Sequence, residues 1–368
     1  MFKTFGFAFG VTIAGVVGAL ILGGPQAAAV VAILAVLEIS LSFDNAVVNA
    51  TILRRMSGTW QTLFLTLGII IAVFGMRLLF PIVIVALTAH LGPTEVFRLA
   101  LDDPSQYAAR LGDAHPAIAA YGGIFLFMIF LDFLLDTDKD VHWIKPVERR
   151  LSLLGEVGAL SVVLSLVALL VVAETLAPAQ KVAQVLTAGV AGLATYLAVS
   201  GLGEFFESRG VGEEDEESEG EGEGAAASGS APGRAGERLA VGRAAFFLFL
   251  YLELIDASFS FDGVVGAFAI SQDIFVIATG LGIGAMYIRS LTVYLVRRGT
   301  LQEYIYLEHG AHWAIGALAV LLAVTIRYEV PEVVTGLIGV GFIALALLSS
   351  IRHRRSVASE RHEELVGA

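Results

Sequence analysis

Long apolar segments follow one another along almost the whole sequence, and they decide which solvent the chain can fold in. Hydrophobic residues make up 57% of the 368 positions and the mean hydropathy is +0.79, which is more apolar than the exterior of a water-soluble protein can accept. A helix crosses the hydrocarbon core with roughly 20 apolar residues. We therefore predict an all-α polytopic membrane protein with about ten transmembrane helices, at residues 5–22, 27–53, 61–89, 117–136, 156–176, 181–203, 244–270, 274–296, 312–329 and 331–351.

The lysines and arginines fall mostly on one side of this predicted membrane protein. With the N-terminus in the cytoplasm, seventeen of the 23 lie in inner loops and tails, and the four outer ones are Arg98, Arg110, Lys181 and Arg327. Positive charge favours the cytoplasmic face. The sequence thus predicts a bacterial inner-membrane protein with both termini in the cytoplasm. No clear cleavage site follows the apolar start, so we expect a retained first helix.

A low-complexity segment separates two parts of the chain. Residues 207–240 consist mostly of acids, Gly, Ser and Ala, and between Glu204 and Arg243 eleven acidic residues accompany four basic ones. This composition predicts a disordered, solvated tether in the cytoplasm. We expect an N-terminal membrane half at 1–206 with six spans, the acidic linker at 207–240, and a C-terminal half at 241–368 with four spans and a short basic tail. Whether the linker binds a cytoplasmic partner stays open.

An acidic, serine-rich motif occurs twice within the apolar sequence. Residues 38–45 read Glu-Ile-Ser-Leu-Ser-Phe-Asp-Asn, and residues 256–263 read Asp-Ala-Ser-Phe-Ser-Phe-Asp-Gly. After each copy, the next predicted span carries a glycine and, nine residues later, an arginine: Gly68 and Arg77, then Gly280 and Arg289. The copies lie in spans two and seven, which cross in opposite directions. The sequence therefore predicts two inverted-topology repeats, as in many secondary transporters.

The acids of this motif point to a metal site. A carboxylate at the centre of a span costs about 2.5–3.5 kcal/mol on insertion scales and usually marks function, and transporter sites form near the midplane between repeats. A helix break around Ser42–Asn45 would let the acids of the first copy converge. The predicted metal ligands are Glu38, Asp44, Asn45, Asp256 and Asp262, supported by Ser42, Asn49, Glu253, Ser260, Arg77 and Arg289.

The predicted ligands are hard oxygen donors. Such donors suit Mn²⁺, Ca²⁺ or Mg²⁺. The chain has no cysteine and the motif has no histidine, which argues against a Zn²⁺ or Cu⁺ site with soft ligands. Neighbouring carboxylates raise each other's pKa, so we expect metal and protons to compete. The prediction is H⁺-coupled transport of a divalent cation, with the metal as substrate and with no cofactor.

Other interpretations of these charges stay open. The acids could pair with Arg77 and Arg289 as buried ion pairs that hold helices together, or the arginines could neutralise an empty site. Asp132 and Asp136, four residues apart at the inner end of span four, could line an entry path or form a solvated helix end.

The stretch LEISLSFDNA and its shorter echo LIDASFSFDG resemble the TerC integral membrane family, named for tellurium resistance, and most of all its branch defined only as a conserved domain of unknown function. The similarity covers roughly residues 27–351 without the linker, and the first copy matches the signature E-x-x-L-x-x-D-N. The second copy departs from it, with Asp256 for Glu and Gly263 for Asn. The resemblance implies manganese export or metal homeostasis, kinship with LysE-type transporters, and metal-ligand roles for Glu38, Asp44, Asn45 and Asp262.

Two other classes of function compete with transport. An intramembrane aspartyl hydrolase also uses two aspartates from two helices, but its Y-D and G-x-G-D motifs are missing, so we expect no enzyme. A non-transporting scaffold or metal-loading platform in metal or tellurite stress would need no site reachable from both sides. The expected partners are the lipid bilayer and the metal ion, with no nucleic acid, and a homo-oligomer stays open.

Overall fold

A computed structural model describes residues 2–89, 91–137, 139, 141–157, 159–218, 239–271, 273–299 and 303–367. Within these ranges the regular structure is helical, and the extended contact is one isolated bridge between Met56 and Ala240. A helix satisfies its backbone N–H and C=O groups internally, which lipid requires. The prediction of an all-α fold is therefore confirmed.

The helices are numbered in chain order. A π-helical segment at Ile71–Leu79 connects α3 to α4, and a 3-10 turn at Leu153–Glu156 follows α7. The α-helices of the described ranges are α1 Phe2–Leu41, α2 Phe43–Leu53, α3 Gly58–Ile70, α4 Phe80–Ala89, α5 Pro93–Asp102, α6 Pro104–Leu135, α7 Lys145–Ser152, α8 Leu160–Thr175, α9 Val182–Ser218, α10 Gly242–Ile270, α11 Ile274–Arg298, α12 Leu307–Thr325 and α13 Glu332–Gly367.

Several of these helices are membrane-spanning by length and composition. In the described residues seven pass that test, at Phe5–Ser40, Gly58–Ala89, Pro104–Leu135, Val182–Gly203, Ile274–Arg298, Leu307–Thr325 and Val333–Ser356. The pair Lys145–Gly155 and Leu160–Thr175, bent by 109°, would be an eighth. The chain is thus a multi-pass membrane protein. The number is below the predicted ten partly because the first two predicted spans lie together in Phe5–Ser40, and α10 is not among the seven.

The first helix is folded back on itself at Gly24. This residue has φ 76° and ψ −173°, a backbone conformation that glycine adopts without the strain other residues would incur. Pro25 follows, where its fixed φ suits the start of a new helical segment. The turn falls in the gap between the first two predicted spans, so α1 consists of two arms.

The two arms run in opposite directions along α11. In the arm before Gly24, the ring centroids of Phe5 and Tyr294 lie 6.1 Å apart, and a Cβ on Gly15 would lie 2.9 Å from Ile283 Cδ1. Residue numbers in this arm therefore rise as those in α11 fall.

In the arm after Gly24 the order is reversed. A Cβ on Gly280 would lie 2.6 Å from Leu34 Cβ, and a Cβ on Gly284 would lie 2.3 Å from Glu38 Cγ. This arm runs parallel to α11. The small glycines let the two helices approach closely, as is typical of helix contacts in membranes.

The helices that carry the two motif copies run in opposite directions. Arg289 in α11 reaches back to Asp256 in α10, and the connection between α10 and α11 is short, so these helices are antiparallel. Because the second arm of α1 is parallel to α11, it is antiparallel to α10.

A break interrupts the first motif copy. Helix α1 ends at Leu41, Ser42 has φ −99° and ψ 17°, and α2 begins at Phe43. The break therefore lies at the start of the predicted region Ser42–Asn45. The second copy differs, because α10 is continuous from Gly242 to Ile270.

The apolar core is centred on α6. Its buried residues include Phe125, Leu126 and Met128, which pack with residues of α2, α9, α10 and α12. A Cβ on Gly192 of α9 would lie 2.3 Å from the carbonyl oxygen of Tyr121. Helix α6 therefore approaches α9 at backbone distance and packs beside the motif helices α2 and α10.

The predicted linker begins inside a helix. Helix α9 continues to Ser218, so the first twelve residues of the segment 207–240 are helical, while 219–238 lie outside the described residues. The chain re-enters the description at Leu239. There Ala240 N donates to the Arg55 carbonyl and Ser57 N donates to the Ala240 carbonyl, which ties the start of the C-terminal half to the end of α2.

Candidate cation site

One cavity brings residues of both motif copies together. Its volume is about 900 Å³, large enough for a cation with its hydration shell. The first copy and its flank contribute Leu37, Glu38, Ser42 and Asn45, and the second copy and the helix after it contribute Phe259, Gly263, Gly266 and Ile270. The remaining wall comes from Gly112, His115 and Pro116 of α6 and from residues of 318–336. The cavity therefore reaches from the motif helices to the loop between α12 and α13.

Glu38 is a buried acid in the cavity wall. The residue is 5% exposed, and its Oε1 accepts hydrogen bonds from Ser42 Oγ at 3.2 Å and from Arg77 Nη2. Arg77 belongs to the π-helical segment and also donates through Nη1 to the Ala72 carbonyl at 2.8 Å. The ion pair neutralises a charge that would otherwise be costly in the bilayer.

The second carboxylate oxygen of Glu38 points to the other motif copy. A Cβ on Gly263 would lie 3.2 Å from Glu38 Oε2. Gly263 stands where the first copy has Asn45, and its lack of a side chain leaves room for the carboxylate. Gly284 on α11 accommodates the Glu38 stem in the same way, with a Cβ only 2.3 Å from Cγ.

A second buried ion pair lies in the other half. Arg289 donates to both oxygens of Glu253, with Nη1–Oε1 at 2.9 Å and Nη2–Oε2 at 2.8 Å, and Nη2 lies 3.2 Å from Asp256 Oδ2. The guanidinium carbon lies 4.2 Å from the ring centroid of Phe64. A Cβ on Gly68 would clash with Arg289 Nη1 at 2.3 Å.

In each half, the first acid of the motif pairs with the arginine that follows. Glu38 pairs with Arg77 and Asp256 pairs with Arg289, which agrees with the ion-pair interpretation of these charges. The halves differ in one respect: Glu38 also lines the cavity, whereas Asp256 and Glu253 are not among its lining residues.

The other predicted ligands divide into two groups. The side chains of Asp44 and Asp262 lie outside the described residues. Asn45 is buried and lines the cavity. In the described residues no group of three or more His, Cys, Asp or Glu side chains is arranged to hold a metal ion.

Two buried polar side chains near the motif lack partners. Asn49 is 0% exposed, and both its amide oxygen and its amide nitrogen have no hydrogen-bond partner within the described part of the chain. Ser260 Oγ likewise has no hydrogen-bond partner among the described residues. Asn49 follows Asn45 by one helical turn on α2, so it continues the polar face of the cavity wall toward the opposite end of the bundle. Unsatisfied buried amides are costly and often mark a binding function.

Ion pairs join neighbouring parts of the chain at the end of the bundle where α2 ends, here called the connected end. Arg54 Nη2 lies 2.9 Å from Glu308 Oε2 at the start of α12, and Arg354 Nη1 lies 2.5 Å from Glu303 Oε1. None of these residues lines the cavity. The cavity therefore reaches one end of the bundle and not this one.

Asp132 and Asp136 lie away from the cavity. Asp132 Oδ2 accepts a hydrogen bond from the Tyr196 hydroxyl at 2.5 Å, and both residues are exposed at the C-terminal end of α6. His115, in the cavity wall, lies about 25 Å from Asp132 along α6 at about 1.5 Å per residue. An entry path past Asp132 would thus begin at the connected end.

A buried acid that the sequence did not single out lies at this same end. Glu148 on α7 is 0% exposed and accepts hydrogen bonds from Trp313 Nε1 at 2.9 Å, from the backbone N–H of Trp143 at 3.0 Å and from His309 Nδ1 at 3.0 Å. Burial raises the pKa of Glu148, but the hydrogen bonds from His309 and Trp313 and the charge of His309 outweigh it and lower the pKa to about 2. Nothing in the sequence of this short polar helix indicated that Glu148 would be buried.

Other residues of the cavity wall were also missed. His115 of α6 and Glu329 of the loop between α12 and α13 line the cavity, and neither residue was predicted from the sequence. Gly284 was missed because nothing in its local sequence indicates that a carboxylate stem packs against it. The signal available in the sequence was its spacing of four from Gly280, a small-residue stripe on one face of the helix.

Comparison with known proteins gives a family and no described function. The model of a family described as a protein of unknown function (DUF475) matches residues 43–357. No curated protein and no solved structure matches the chain.

Proposed function

We propose that this chain, which belongs to the DUF475 family, carries a divalent metal cation across the membrane. The observation that supports the proposal is that both motif copies line one cavity, where Glu38 of the first copy faces Gly263 of the second. Carboxylate, hydroxyl and amide oxygens of Glu38, Ser42 and Asn45 are the donors that hard cations prefer.

The donor set favours a class of ion rather than one ion. Mn²⁺, Mg²⁺ and Ca²⁺ all suit oxygen ligands, and the resemblance of the first motif copy to TerC proteins favours Mn²⁺ and export. Arg77 holds Glu38 Oε1 when no cation is bound, while Oε2 points into the space between the motif copies. A bound cation would compete with Arg77 for the Glu38 carboxylate. Arg77 would pair fully with Glu38 again when the ion leaves.

The proposed architecture is that of two inverted repeats within about ten spans, with loaded and empty sites exposed alternately to the two sides. The antiparallel course of the motif helices supports it. The connected end around Arg54 and Glu308 would face the cytoplasm, in agreement with the lysine and arginine distribution. The unpartnered amide of Asn49, one turn beyond Asn45, lies where the ion would pass once that end opens.

Flux into liposomes tests the proposal. The full chain is reconstituted with a Mn²⁺-sensitive dye inside, and Mn²⁺ uptake is compared for the unchanged protein and for Glu38→Gln, Asn45→Ala and Asp44→Ala. We expect uptake by the unchanged protein and its loss in all three variants. Glu95→Gln is the matched control, because Glu95 is exposed on α5 and outside the cavity. Saturable Mn²⁺ binding by the unchanged protein without flux would instead support the metal-loading scaffold.

A further inference from the structure

Two acids share one arginine in the C-terminal half. Arg289 binds Glu253 through two hydrogen bonds and Asp256 through a third. With both acids ionised, the three side chains together carry one negative charge.

This charge is almost fully buried. The exposed fraction of the side chain is 1% for Arg289, 5% for Glu253 and 8% for Asp256. The neighbouring helix α3 contributes the Phe64 ring and its carbonyl, which lies 3.3 Å from Arg289 Nη1, together with Gly68. In the described part of the chain, the charges acting on Glu253 and Arg289 are those of the three residues themselves. An isolated net charge in such surroundings is strongly disfavoured.

The first motif copy provides an internal comparison. Glu253 precedes Asp256 by three positions, and the residue that precedes Glu38 by three positions is Ala35. Among the described side chains, Arg77 therefore pairs with one acid, Glu38, whereas Arg289 pairs with two. An ion pair that only joined helices would not need the second acid.

We propose that Glu253, Asp256 and Arg289 form a proton-binding site, separate from the cation cavity, that exchanges one proton as the cation moves. The inference rests on the proposed transport function. On uptake the proton forms an O–H bond with one of the two carboxylates and makes the group neutral, and on release that bond breaks and the proton returns to water.

Helix α11 provides the physical link between the two sites. It carries Arg289, and one and a half turns earlier its Gly284 packs against the stem of Glu38. A movement of α11 against α10 separates Arg289 from the acids and, because α1 packs along α11, carries Glu38 away from Gly263 of α10. Proton uptake and cation release are therefore coupled through one helix rather than through competition for the same ligands.

Infrared spectroscopy tests the proton site without any need for transport. In the purified full chain at neutral pH, we expect the stretching band of a protonated carboxyl group that is shielded from exchange. Both Glu253→Gln and Asp256→Asn leave one acid per arginine, so each should abolish the band, whereas Glu38→Gln should retain it. Absence of the band in the unchanged protein, or its persistence in both variants, overturns the proposal. If one variant fails to fold by size-exclusion chromatography, the other decides.

A second experiment tests the coupling. Liposomes containing the full chain and an internal pH dye are given a Mn²⁺ gradient, and we expect proton counterflow with the unchanged protein. Glu253→Gln should reduce the number of protons moved per Mn²⁺ ion transported, Glu253→Asp should restore it, and Glu95→Gln should behave like the unchanged protein. Proton movement by Glu253→Gln equal to that of the unchanged protein contradicts the proposal. If the unchanged protein transports no Mn²⁺, the transport function fails, and the infrared band still decides the proton site.

Discussion

Glu38 and Gly263, the first residue of one motif copy and the last residue of the other, lie against each other across the cavity. A Cβ on Gly263 would stand 3.2 Å from Glu38 Oε2, tighter than ordinary van der Waals contact. The contact joins the two halves of the chain at the oxygen that is not held by Arg77. A substitution at this contact therefore tests whether Oε2 binds the cation.

Replacement of Gly263 by alanine should weaken cation binding without unfolding the protein. The added methyl group crowds Glu38 Oε2, while alanine favours the helix by up to about 1 kcal/mol over glycine. We expect unchanged or slightly raised thermal stability and a Mn²⁺ affinity at least about tenfold lower, equivalent to about 1.4 kcal/mol, by titration calorimetry. Gly341→Ala is the control, because nothing lies within 4 Å of its added Cβ. Equal affinities for the two variants would show that Oε2 is not a ligand.

Removal of Arg77 should be costly, and removal of its partner should relieve the cost. Arg77→Met leaves the Glu38 carboxylate buried without a counter-ion, which destabilises by about 3–5 kcal/mol. The double variant Arg77→Met, Glu38→Gln should be more stable than Arg77→Met alone in thermal unfolding in detergent. The half-exposed pair of Arg54 and Glu308 provides the comparison: Arg54→Met should cost about 0–1 kcal/mol. Additive effects of the two changes at 38 and 77 would rule out a direct interaction.

Acid should destabilise the protein through Glu148. Its pKa falls from the usual 4.5 to about 2 in the folded chain, so its ionised form stabilises the fold fully above pH 4.5. This contribution is lost as the pH falls from 4.5 to about 2. We expect the unfolding temperature in detergent to decline across that window and Glu148→Gln to flatten this decline. Exposed Glu95→Gln should keep the slope of the unchanged protein, and a Glu148→Gln curve with that same slope would refute the assignment.

The chain contains no cysteine, so single introduced cysteines report which side the cavity faces. Thr335 lines the cavity and Arg355 is exposed near the connected end. With that end in the cytoplasm, a membrane-impermeant maleimide added to intact cells should label Thr335→Cys. Arg355→Cys should react only in inverted vesicles. The opposite labelling pattern would reverse the proposed orientation.

Much of the helix order could be predicted because it depends on local properties. Apolar length predicted the membrane helices, and the gap between the first two predicted spans contains the turn at Gly24, where glycine and proline favour reversal. The first motif copy contributes Glu38, Ser42 and Asn45 to the cavity wall, whereas Asp256 of the second copy, also a predicted ligand, does not line it.

The partners of the charges could not be predicted from local sequence. Arg77 and Arg289 were recognised, but whether each neutralises an acid depends on how distant helices pack. Asp256 lies away from the cavity for the same reason, because α10 packs with the Asp256 carboxylate facing Arg289 of α11. Glu148 was overlooked because burial of a polar helix end depends on His309 and Trp313, which lie far away in the sequence.

The turn at Gly24 also determines what can move. Both arms of α1 pack along α11, one on the side of Tyr294 and one on the side of Glu38. The two arms therefore hold α11 between them. Helix α11 cannot rock alone, and residues 2–41 must travel with it as one mechanical unit. The N-terminal arm before Gly24 therefore belongs to the moving part of the protein.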